Sequence, residues 1–239
     1  MHLSPKESKV GIWNTIPDLE TLNMLAKCVD FVYLDLEHGF RDVQTITNAI
    51  LLLNALGKDY SVRIRSYDDP IIQTITDFSV RDIIVPQLRS IDEFQAFKRR
   101  LNLPTLGVRG IHPRSEFTSN VGDQADISIT VIIETKESLP LLEYFAKDSQ
   151  VTTIYLGVFD LAQELKITDG PHSSKLDIYF KKISEICNDR GKSFAAMLPS
   201  GASLSDFKAK GVDKVLLGID LILLNQAVRY RAESESHPS

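Results

Sequence analysis

Residues 31–40, "FVYLDLEHGF", begin as a buried β-strand and end in charged residues. The first four residues are of the aromatic, aliphatic and β-branched types that suit a strand covered on both faces. Asp35, Glu37 and His38 then follow within four positions, and Gly39 allows the chain to turn. The pattern predicts a buried strand whose carboxyl end carries titratable groups.

Short apolar segments of the same kind recur along the chain and alternate with segments of helical period. Buried strands that are each followed by a helix indicate a parallel sheet covered on both faces. Eight such units in 239 residues predict a (β/α)₈ TIM barrel. An open doubly wound sheet is the alternative, but the first strand–helix junction lacks the glycine-rich phosphate-binding sequence of that fold. The predicted strands are 9–13, 31–36, 61–65, 82–87, 127–134, 153–157, 193–198 and 214–220.

Helix start and stop signals agree with this arrangement. Ser90 and Glu93 have the spacing of a capping box, and Pro17 and Pro70 suit first helical turns. Glycines that suit helix ends are Gly57, Gly191 and Gly211. Amphipathic helices are predicted over 42–56, 90–101 and 175–191, and "LGVRG" (106–110) is assigned to a loop rather than to a ninth strand.

Length and composition predict one globular domain over residues 1–239, with residues 1–8 and 233–239 frayed. The net charge of −5 argues against a nucleic-acid partner. No apolar run approaches the roughly 20 residues that a transmembrane helix needs, and the polar N-terminus has no signal-peptide core. Cys28 and Cys187 fall in helix-like segments, as expected of reduced thiols. We therefore expect a cytoplasmic protein that has no membrane partner.

Polar residues are concentrated at the ends of the predicted strands. The carboxyl ends of all strands in a TIM barrel meet at one face, where the active site lies. The sequence therefore predicts that these side chains converge at one mouth. They are Asn14, Asp35, Glu37, His38, Arg63, Gln87, Glu134, Asp160, Pro199, Ser200 and Asp220.

The spacing of Asp35 and His38 leaves two interpretations open. A carboxylate commonly orients a basic imidazole, which favours a catalytic pair. In the alternative, Asp35 and Glu37 are solvated loop carboxylates and His38 packs or caps. Strict strand alternation would place Asp35 and His38 on opposite faces. They can meet only if the strand ends before His38 and the chain turns at Gly39.

Glu134 and Asp160 follow neighbouring predicted strands without a histidine or cysteine cluster nearby. Two carboxylates form a hard oxygen-donor site that suits Mg²⁺ or Mn²⁺ better than structural zinc. Alternatively, Glu134 pairs with Arg63, and Asp160 is a helix N-cap. Arg63 itself lies in a buried strand and needs an anionic partner, either a structural carboxylate or a substrate oxygen.

Arg109, His112 and Arg114 lie in a segment rich in turn residues, and we expect them to be solvated or to lie at an interface. No lysine occupies a predicted strand end, which argues against catalysis through a lysine Schiff base.

The motifs "GIW", "YLDLEHG", "VRI", "VPQ", "GVRG", "IETKESL", "LGVFDLA" and "VLLGID" occur in an order and approximate spacing that resemble the HpcH/HpaI family of class II aldolases. The resemblance covers residues 9–232. It implies a pyruvate-kinase-like barrel and divalent-metal-dependent chemistry on pyruvate or related 2-oxo acids and aldehydes, as in the 2-dehydro-3-deoxyglucarate and 4-hydroxy-2-oxoheptanedioate aldolases. The implied cation is Mg²⁺ or Mn²⁺, with Co²⁺ or Zn²⁺ as alternatives. It also implies a homo-oligomer, a hexamer or trimer of dimers, with exchanged C-terminal helices.

The resemblance assigns roles to single residues as well. Glu134 and Asp160 would bind the cation that chelates the 2-oxo acid, and Arg63 would stabilise the enolate oxygen. His38, oriented by Asp35, would move the proton of the aldol hydroxyl. The backbone amides of 157–160 would face the substrate carboxylate. Residues implied to form the substrate pocket are Trp13, Gly157, Val158, Phe159 and Leu198.

The sequence also departs from the family pattern. Ile132 stands where a glutamine is common, Val158 and Phe159 replace a proline and a small residue, and the loop 111–131 is short. Two alternatives to an aldolase therefore remain. One is a synthase that condenses a 2-oxo acid or oxaloacetate with another acceptor. The other is a catalytically silent ligand-binding barrel, against which the retained charged residues argue.

The segment "LILLNQAVRY" (221–230) is apolar around most of its circumference. A helix with one solvated face needs fewer apolar residues. We therefore expect this segment to pack against another subunit.

Overall fold

The computed structural model describes residues 8–39, 42–102, 107–110 and 127–236. Within these ranges, parallel strands pair in sequence order and the last strand closes on the first, forming a barrel. The predicted (β/α)₈ TIM barrel is confirmed. The strands are β1 (Lys9–Asn14), β2 (Phe31–Asp35), β3 (Asp59–Arg63), β4 (Asp82–Val85), β5 (Ser128–Ile133), β6 (Val151–Leu156), β7 (Ser193–Met197) and β8 (Lys214–Ile219).

Helical segments separate the strands and cover the outside of the barrel. The α-helices are α1 (Leu19–Cys28), α2 (Val43–Ala55), α3 (Ile71–Asp77), α4 (Ile91–Leu101), α5 (Leu142–Lys147), α6 (Val158–Glu164), α7 (Asp177–Arg190), α8 (Leu204–Ala209) and α9 (Asp220–Ser236). Short 3₁₀ turns span Leu139–Leu141, Gly170–His172 and Ser174–Leu176. Helix α9 continues past residue 233, where we expected the chain to fray.

The strands bury side chains on both faces, which explains their nearly continuous apolar sequences. One cluster lies inside the barrel and contains Trp13, Tyr33, Ile132 and Tyr155. The larger cluster lies between the strands and the helices, where alternate strand residues such as Val32 meet the apolar helix faces. The core is therefore a two-layered packing that fixes the strand ends.

The register between β2 and β3 differs from the predicted strand limits and decides the position of a site residue. Strand β3 begins and ends two residues earlier than the predicted 61–65, because Phe31 pairs with Asp59 at its start. The same register places Asp35 beside Arg63 at the carboxyl end.

The helix signals are partly confirmed. Ser90 caps α4 by accepting a hydrogen bond from the backbone of Glu93, but the Glu93 carboxylate accepts from Arg89 rather than from Ser90, so only half of the capping box forms. Pro17 precedes the N-cap Asp18 instead of lying in the first turn of α1, because the Asp18 carboxylate caps that helix. Pro70 is itself the N-cap position of α3. The predicted glycines at helix ends, which all have positive φ, are Gly57, Gly191 and Gly211.

Residues 107–110 form no strand, as expected of a loop. Residues 111–126, which include His112 and Arg114, lie outside the described ranges, as do residues 1–7 and 237–239. Among the described helices, none combines the length and apolarity needed to cross a lipid bilayer.

Candidate active site at the carboxyl ends of the strands

A cavity of about 480 Å³ opens at the carboxyl ends of the strands. Its walls carry side chains from both ends of the sequence, because barrel closure brings β1 and β8 together. The predicted site residues that line this cavity are Trp13, Asp35, His38, Arg63, Glu134, Gly157, Phe159 and Asp160. The fold therefore gathers most of the predicted site.

Arg63 is held by two carboxylates, one at the end of β2 and one in the turn that follows it. Its Nε and Nη2 donate to the two oxygens of Asp35 at 2.9 and 2.6 Å, and Nη1 lies 2.9 Å from Oε2 of Glu37. The guanidinium also stacks over the Trp13 ring, with 4.4 Å between Cζ and the ring centroid. The anionic partner predicted for Arg63 is thus provided by the chain itself, and the planar guanidinium is fixed in one orientation.

The chain turns directly after β2, as the catalytic arrangement of Asp35 and His38 requires. Asp35 accepts hydrogen bonds from the backbone N–H groups of Glu37 and His38, which stabilise the turn. The expectation that Asp35 orients the imidazole is not met, because the Asp35 oxygens are taken up by Arg63 and these amides. Instead, Nε2 of His38 lies 3.9 Å from Oε2 of Glu37, and the His38 side chain is 70% exposed.

Aromatic side chains form the floor of the cavity. Trp13 Nε1 donates to the Tyr155 hydroxyl at 3.3 Å, and the two rings meet edge to face. Tyr33 contacts both rings from inside the barrel. The floor below the charged side chains is largely aromatic and buried, and such an environment strengthens electrostatic interactions at the mouth.

Glu134 follows β5 and is nearly fully buried, with 5% of the residue exposed. Its Oε1 accepts a hydrogen bond from the backbone N–H of Gln87 at 2.7 Å. Burial raises the pKa of Glu134 to about 7; the charges of Asp160 and Glu37 also raise it, while the Gln87 hydrogen bond and Arg63 oppose the shift. The surroundings of Glu134 therefore disfavour its ionised form.

Asp160 lies in the first turn of α6, whose N-cap is Gly157, so the alternative in which Asp160 caps that helix is wrong. The ion pairs of Arg63 are with Asp35 and Glu37, so Glu134 is not the partner of Arg63 either. Both Glu134 and Asp160 face the cavity, and they also line a second depression beside it.

The residues present fit a divalent cation. Two carboxylates supply hard oxygen ligands, and a bound cation would favour the ionised form of Glu134, which burial disfavours. Gly157 leaves room for Glu134: an added Cβ at Gly157 would lie 2.8 Å from the Glu134 Cβ and 3.2 Å from its Oε2. Among the described residues, no group of three or more histidine, cysteine or acidic side chains is arranged for metal binding.

Two predicted pocket residues lie elsewhere. The Val158 side chain is buried in the outer core, and Leu198 packs against the same core. In their place Met197 lines the cavity from β7. Strand alternation explains the difference, because Met197 shares the inward face of Ala195, whereas Leu198 points the opposite way.

Sequence reasoning missed several cavity residues. Tyr155 could have been found by alternation, because it lies two positions before Gly157 on the same strand face. Glu37 is among the residues expected at the mouth, but its ion pair with Arg63 was not predicted, because that pair depends on the β2–β3 register. Other residues missed as lining are Thr15, Ile219, Leu221 and Ile222.

Three other polar residues named in the sequence analysis, Asn14, Arg109 and Asp220, are buried within the fold. Asp220 accepts from Asn14 Nδ2 at 2.6 Å and from neighbouring backbone amides, which ties the ends of β1 and β8 together. Arg109 is buried rather than solvated and lines a small cavity beside α3 and α4, away from the barrel mouth.

Comparisons with known proteins identify the family of the chain. The family model described as HpcH/HpaI aldolase/citrate lyase matches residues 20–227. The 4-hydroxy-2-oxovalerate aldolase of Rhodococcus jostii (strain RHA1) is 24% identical over 237 residues, covering 93% of this chain and 89% of that protein. The 5-keto-4-deoxy-D-glucarate aldolase of Shigella dysenteriae serotype 1 (strain Sd197) is 22% identical over 240 residues, covering 97% and 94%.

A solved structure extends the comparison to the fold. The HpcH/HpaI aldolase from Desulfitobacterium hafniense DCB-2 superposes with a TM-score of 0.84 at 18% identity, covering 98% of this chain and 95% of that one. These findings confirm the family predicted from the motifs, and with it the prediction of an enzyme of the aldolase type. The chain belongs to the HpcH/HpaI aldolase/citrate lyase family.

Proposed function

We propose that the protein is a divalent-metal-dependent aldolase that makes or breaks a carbon–carbon bond next to the keto group of a 2-oxo acid. The donor in this proposal is pyruvate or a close analogue, and the acceptor is an aldehyde. The observation that carries the proposal is the meeting of Glu134, Asp160 and Arg63 at one cavity. Breaking a bond next to a ketone leaves an enolate, and this combination of groups suits the developing negative charge.

Glu134 and Asp160 are the proposed ligands of the cation, with Mg²⁺ or Mn²⁺ favoured by their hard oxygen atoms and Co²⁺ or Zn²⁺ as alternatives. When bound, the divalent cation supplies Lewis-acid stabilisation of charge at the keto oxygen. The two side chains reach the cavity from consecutive strand ends, so the ligands are attached to rigid elements.

Arg63 is the proposed electrostatic stabiliser of the enolate oxygen. Asp35 and Glu37 hold its guanidinium, and the Trp13 ring supports one face. A cation whose orientation is fixed before the reaction requires little reorganisation as charge develops. Its side chain is 13% exposed, which keeps the charge partly shielded from water.

His38 is the proposed group for proton transfer at the aldol hydroxyl. Its exposed ring stands at the rim of the cavity, where an acceptor would enter. The nearest carboxylate to the ring is Glu37 at 3.9 Å, so Glu37 takes over the orienting role that the sequence assigned to Asp35. The backbone amides of 157–160 are proposed to receive the substrate carboxylate, with Phe159 closing the outer wall.

The proposal includes a cytoplasmic homo-oligomer, hexameric or built as a trimer of dimers. The two cysteines, Cys28 and Cys187, are free thiols, which suits a reducing compartment. The exposed apolar residues of α9 support self-association.

Methyl-proton exchange of pyruvate tests the proposal without knowledge of the aldehyde. In D₂O with Mg²⁺ or Mn²⁺, the protein should exchange these protons, as observed by NMR, and chelator should stop the exchange. Glu134→Gln and Asp160→Asn should each weaken metal binding, whereas Arg63→Ala should retain the metal and lose most of the exchange. Glu143→Gln is the matched control, because Glu143 is an exposed carboxylate of α5 remote from the cavity.

Exchange that survives in both Glu134→Gln and Asp160→Asn would rule out the metal assignment. Exchange that is absent with pyruvate, 2-oxobutyrate and oxaloacetate alike would rule out the 2-oxo acid chemistry.

A further inference from the structure

Gln87, just beyond β4, has a backbone conformation that is unusual for its residue type. Its φ is +52°, in the left-handed region of backbone conformation that residues other than glycine rarely adopt. Among the described residues other than glycine, only Ser79 and Lys166 also have positive φ. Such a conformation costs energy and persists only where surrounding contacts maintain it.

The backbone of Gln87 contacts one half of the candidate active site. Its N–H donates to Oε1 of Glu134 at 2.7 Å, the shortest distance that joins Glu134 to a donor in the described part of the chain. This bond fixes one oxygen of the buried carboxylate and leaves Oε2, which faces Gly157, for another partner.

The side chain of Gln87 contacts the other half of the candidate active site, which contains Glu37 and Arg63. Its Nε2 donates to Oε1 of Glu37 at 3.2 Å. The second oxygen of Glu37 lies 2.9 Å from Nη1 of Arg63. One residue therefore joins a proposed metal ligand to the ion pair that holds the proposed enolate-stabilising arginine.

We propose that Gln87 is a positioning residue that fixes the separation between the Glu134 carboxylate and the Arg63 guanidinium. The left-handed backbone lets the main-chain amide reach Glu134 while the side-chain amide reaches Glu37. The consequence for catalysis depends on the proposed function, because it presumes that Glu134 and Arg63 act on the same substrate. The two contacts themselves do not depend on it. Hydrogen-bonded residues behind metal ligands commonly change metal affinity or activity about 10- to 100-fold when altered.

The fluorescence of Trp13 can be used to follow the position of Arg63. Trp13 is the single tryptophan of the sequence, and Arg63 lies 4.4 Å above its ring. Displacement of the guanidinium should change the emission of Trp13 in the metal-free protein. This readout needs neither substrate nor metal.

Gln87→Gly separates the two contacts, because glycine adopts positive φ readily and retains the backbone N–H. Mn²⁺ affinity, measured by calorimetry, should stay within about threefold of the native value, while the exchange rate of pyruvate falls about 10-fold and the Trp13 emission shifts. Gln87→Asn should behave in the same way, because asparagine tolerates the conformation but is one methylene too short to reach Glu37.

Gln87→Val disturbs the backbone contact, because a β-branched residue is strained at positive φ. Its Mn²⁺ affinity should fall about 10-fold. Ser79→Val is the matched control: Ser79 has φ of +66° and lies outside the cavity, so the same strain should reduce stability without changing Mn²⁺ affinity or Trp13 emission.

Unchanged exchange and unchanged Trp13 emission in both Gln87→Gly and Gln87→Asn would overturn the side-chain role. Mn²⁺ affinity that falls equally in Gln87→Val and Ser79→Val would overturn the backbone role, because general destabilisation would then explain it. If the native protein catalyses no exchange, the proposed function fails, and the affinity and emission measurements still decide the positioning role.

Discussion

Burial and neighbouring negative charge both oppose the ionisation of Glu134. Its pKa of about 7 in the folded protein compares with an ordinary value of 4.5. Between these values the folded protein binds a proton that the unfolded chain releases. Linkage then requires the contribution of Glu134 to the free energy of unfolding to decrease as pH rises through this window.

We therefore predict that the metal-free protein becomes less stable, relative to Glu134→Gln, as pH rises from about 5 to about 8, by about 2 kcal/mol. Glutamine cannot ionise, so the difference between the two proteins isolates this group. Urea unfolding at the two pH values in the presence of chelator measures the effect. A constant difference between native and variant protein would contradict the raised pKa.

His38 has little contact with the body of the protein, because 70% of its side chain is exposed. His38→Ala should therefore leave the free energy of unfolding and the affinity for Mn²⁺ nearly unchanged. If it transfers the proton of the aldol hydroxyl, aldol cleavage should fall about 10²- to 10⁴-fold while methyl-proton exchange persists. Steady-state cleavage and NMR exchange on the same preparation distinguish these steps. Full cleavage activity over the accessible pH range would remove His38 from the mechanism.

The sequence predicted which residues enter the site better than it predicted their partners. Asp35, Arg63, Glu134 and Asp160 were all expected at strand ends, because apolar strands that end in charged residues are informative by themselves. Their pairing was not predictable, since it depends on register between strands: Asp35 meets Arg63 because β2 and β3 align these residues. Spacing alone cannot show that the His38 imidazole is exposed or that the Asp35 carboxylate is already bound to Arg63.

At the scale of secondary structure, the β6–α6 junction illustrates how a backbone position controls a side chain on the neighbouring strand. Gly157 has an ordinary φ of −79°, so flexibility is not the reason for glycine there. The reason is space, because a Cβ would approach Glu134 and would lie 3.2 Å from Cγ2 of Ile132. A methyl group in place of the glycine hydrogen at Gly157 would push against the buried Glu134 side chain.

Gly157→Ala should consequently displace Glu134 and reduce Mn²⁺ affinity about 10-fold, while overpacking lowers stability by about 1–3 kcal/mol. Calorimetry and urea unfolding measure the two effects. Gly57→Ala serves as the comparison: it lies at the end of α2 with φ of +61° and nothing within 4 Å of an added Cβ, so it should cost stability and leave metal affinity intact. Equal metal affinity in native protein and Gly157→Ala would show that the contact is relieved without moving Glu134.

All eight strands were predictable because apolar composition and alternation report burial directly. Their limits were less accurate, as for β3, because the stagger of strands in a closed barrel sets where pairing begins and is not encoded in any one strand. Capping signals also depend on geometry. The Glu93 carboxylate could accept a hydrogen bond from the backbone N–H of Ser90 or of Arg89, and in the structure it accepts from Arg89.

At the scale of the whole molecule, barrel closure turns separate sequence motifs into one electrostatic arrangement. The β2 and β3 ends form a compensated group of Asp35, Glu37 and Arg63, whereas the β5 and β6 ends contribute Glu134 and Asp160. The first group pairs one guanidinium with two carboxylates, and in the second group the surroundings of Glu134 disfavour its ionised form. In the proposed function the site combines the Arg63 guanidinium with a divalent cation bound from solution, and the hydrogen bonds of Gln87 connect the two groups of side chains.

Helix α9 leaves apolar side chains in contact with water, including Leu224, Val228 and Tyr230, which are 55%, 60% and 75% exposed. Two further residues at its start, Leu221 and Ile222, are also exposed and form part of the cavity wall. A soluble chain rarely presents so many apolar side chains on one helix unless another surface covers them. We predict that a second copy of the chain covers α9 in solution, which would also shield the neighbouring wall of the cavity.

Val228→Glu combined with Tyr230→Glu should dissociate the assembly, because two charges would have to be buried without partners in the interface. Light scattering coupled to size-exclusion chromatography measures the mass, and both positions lie outside the cavity lining, so any change in pyruvate exchange would arise from the loss of assembly. Ile178→Glu is the matched control, because Ile178 of α7 is 68% exposed yet isolated from this helix, and its mass should equal that of the native protein. A native protein that remains monomeric at every concentration would contradict the prediction. Native mass retained in the double variant would place the interface on another surface.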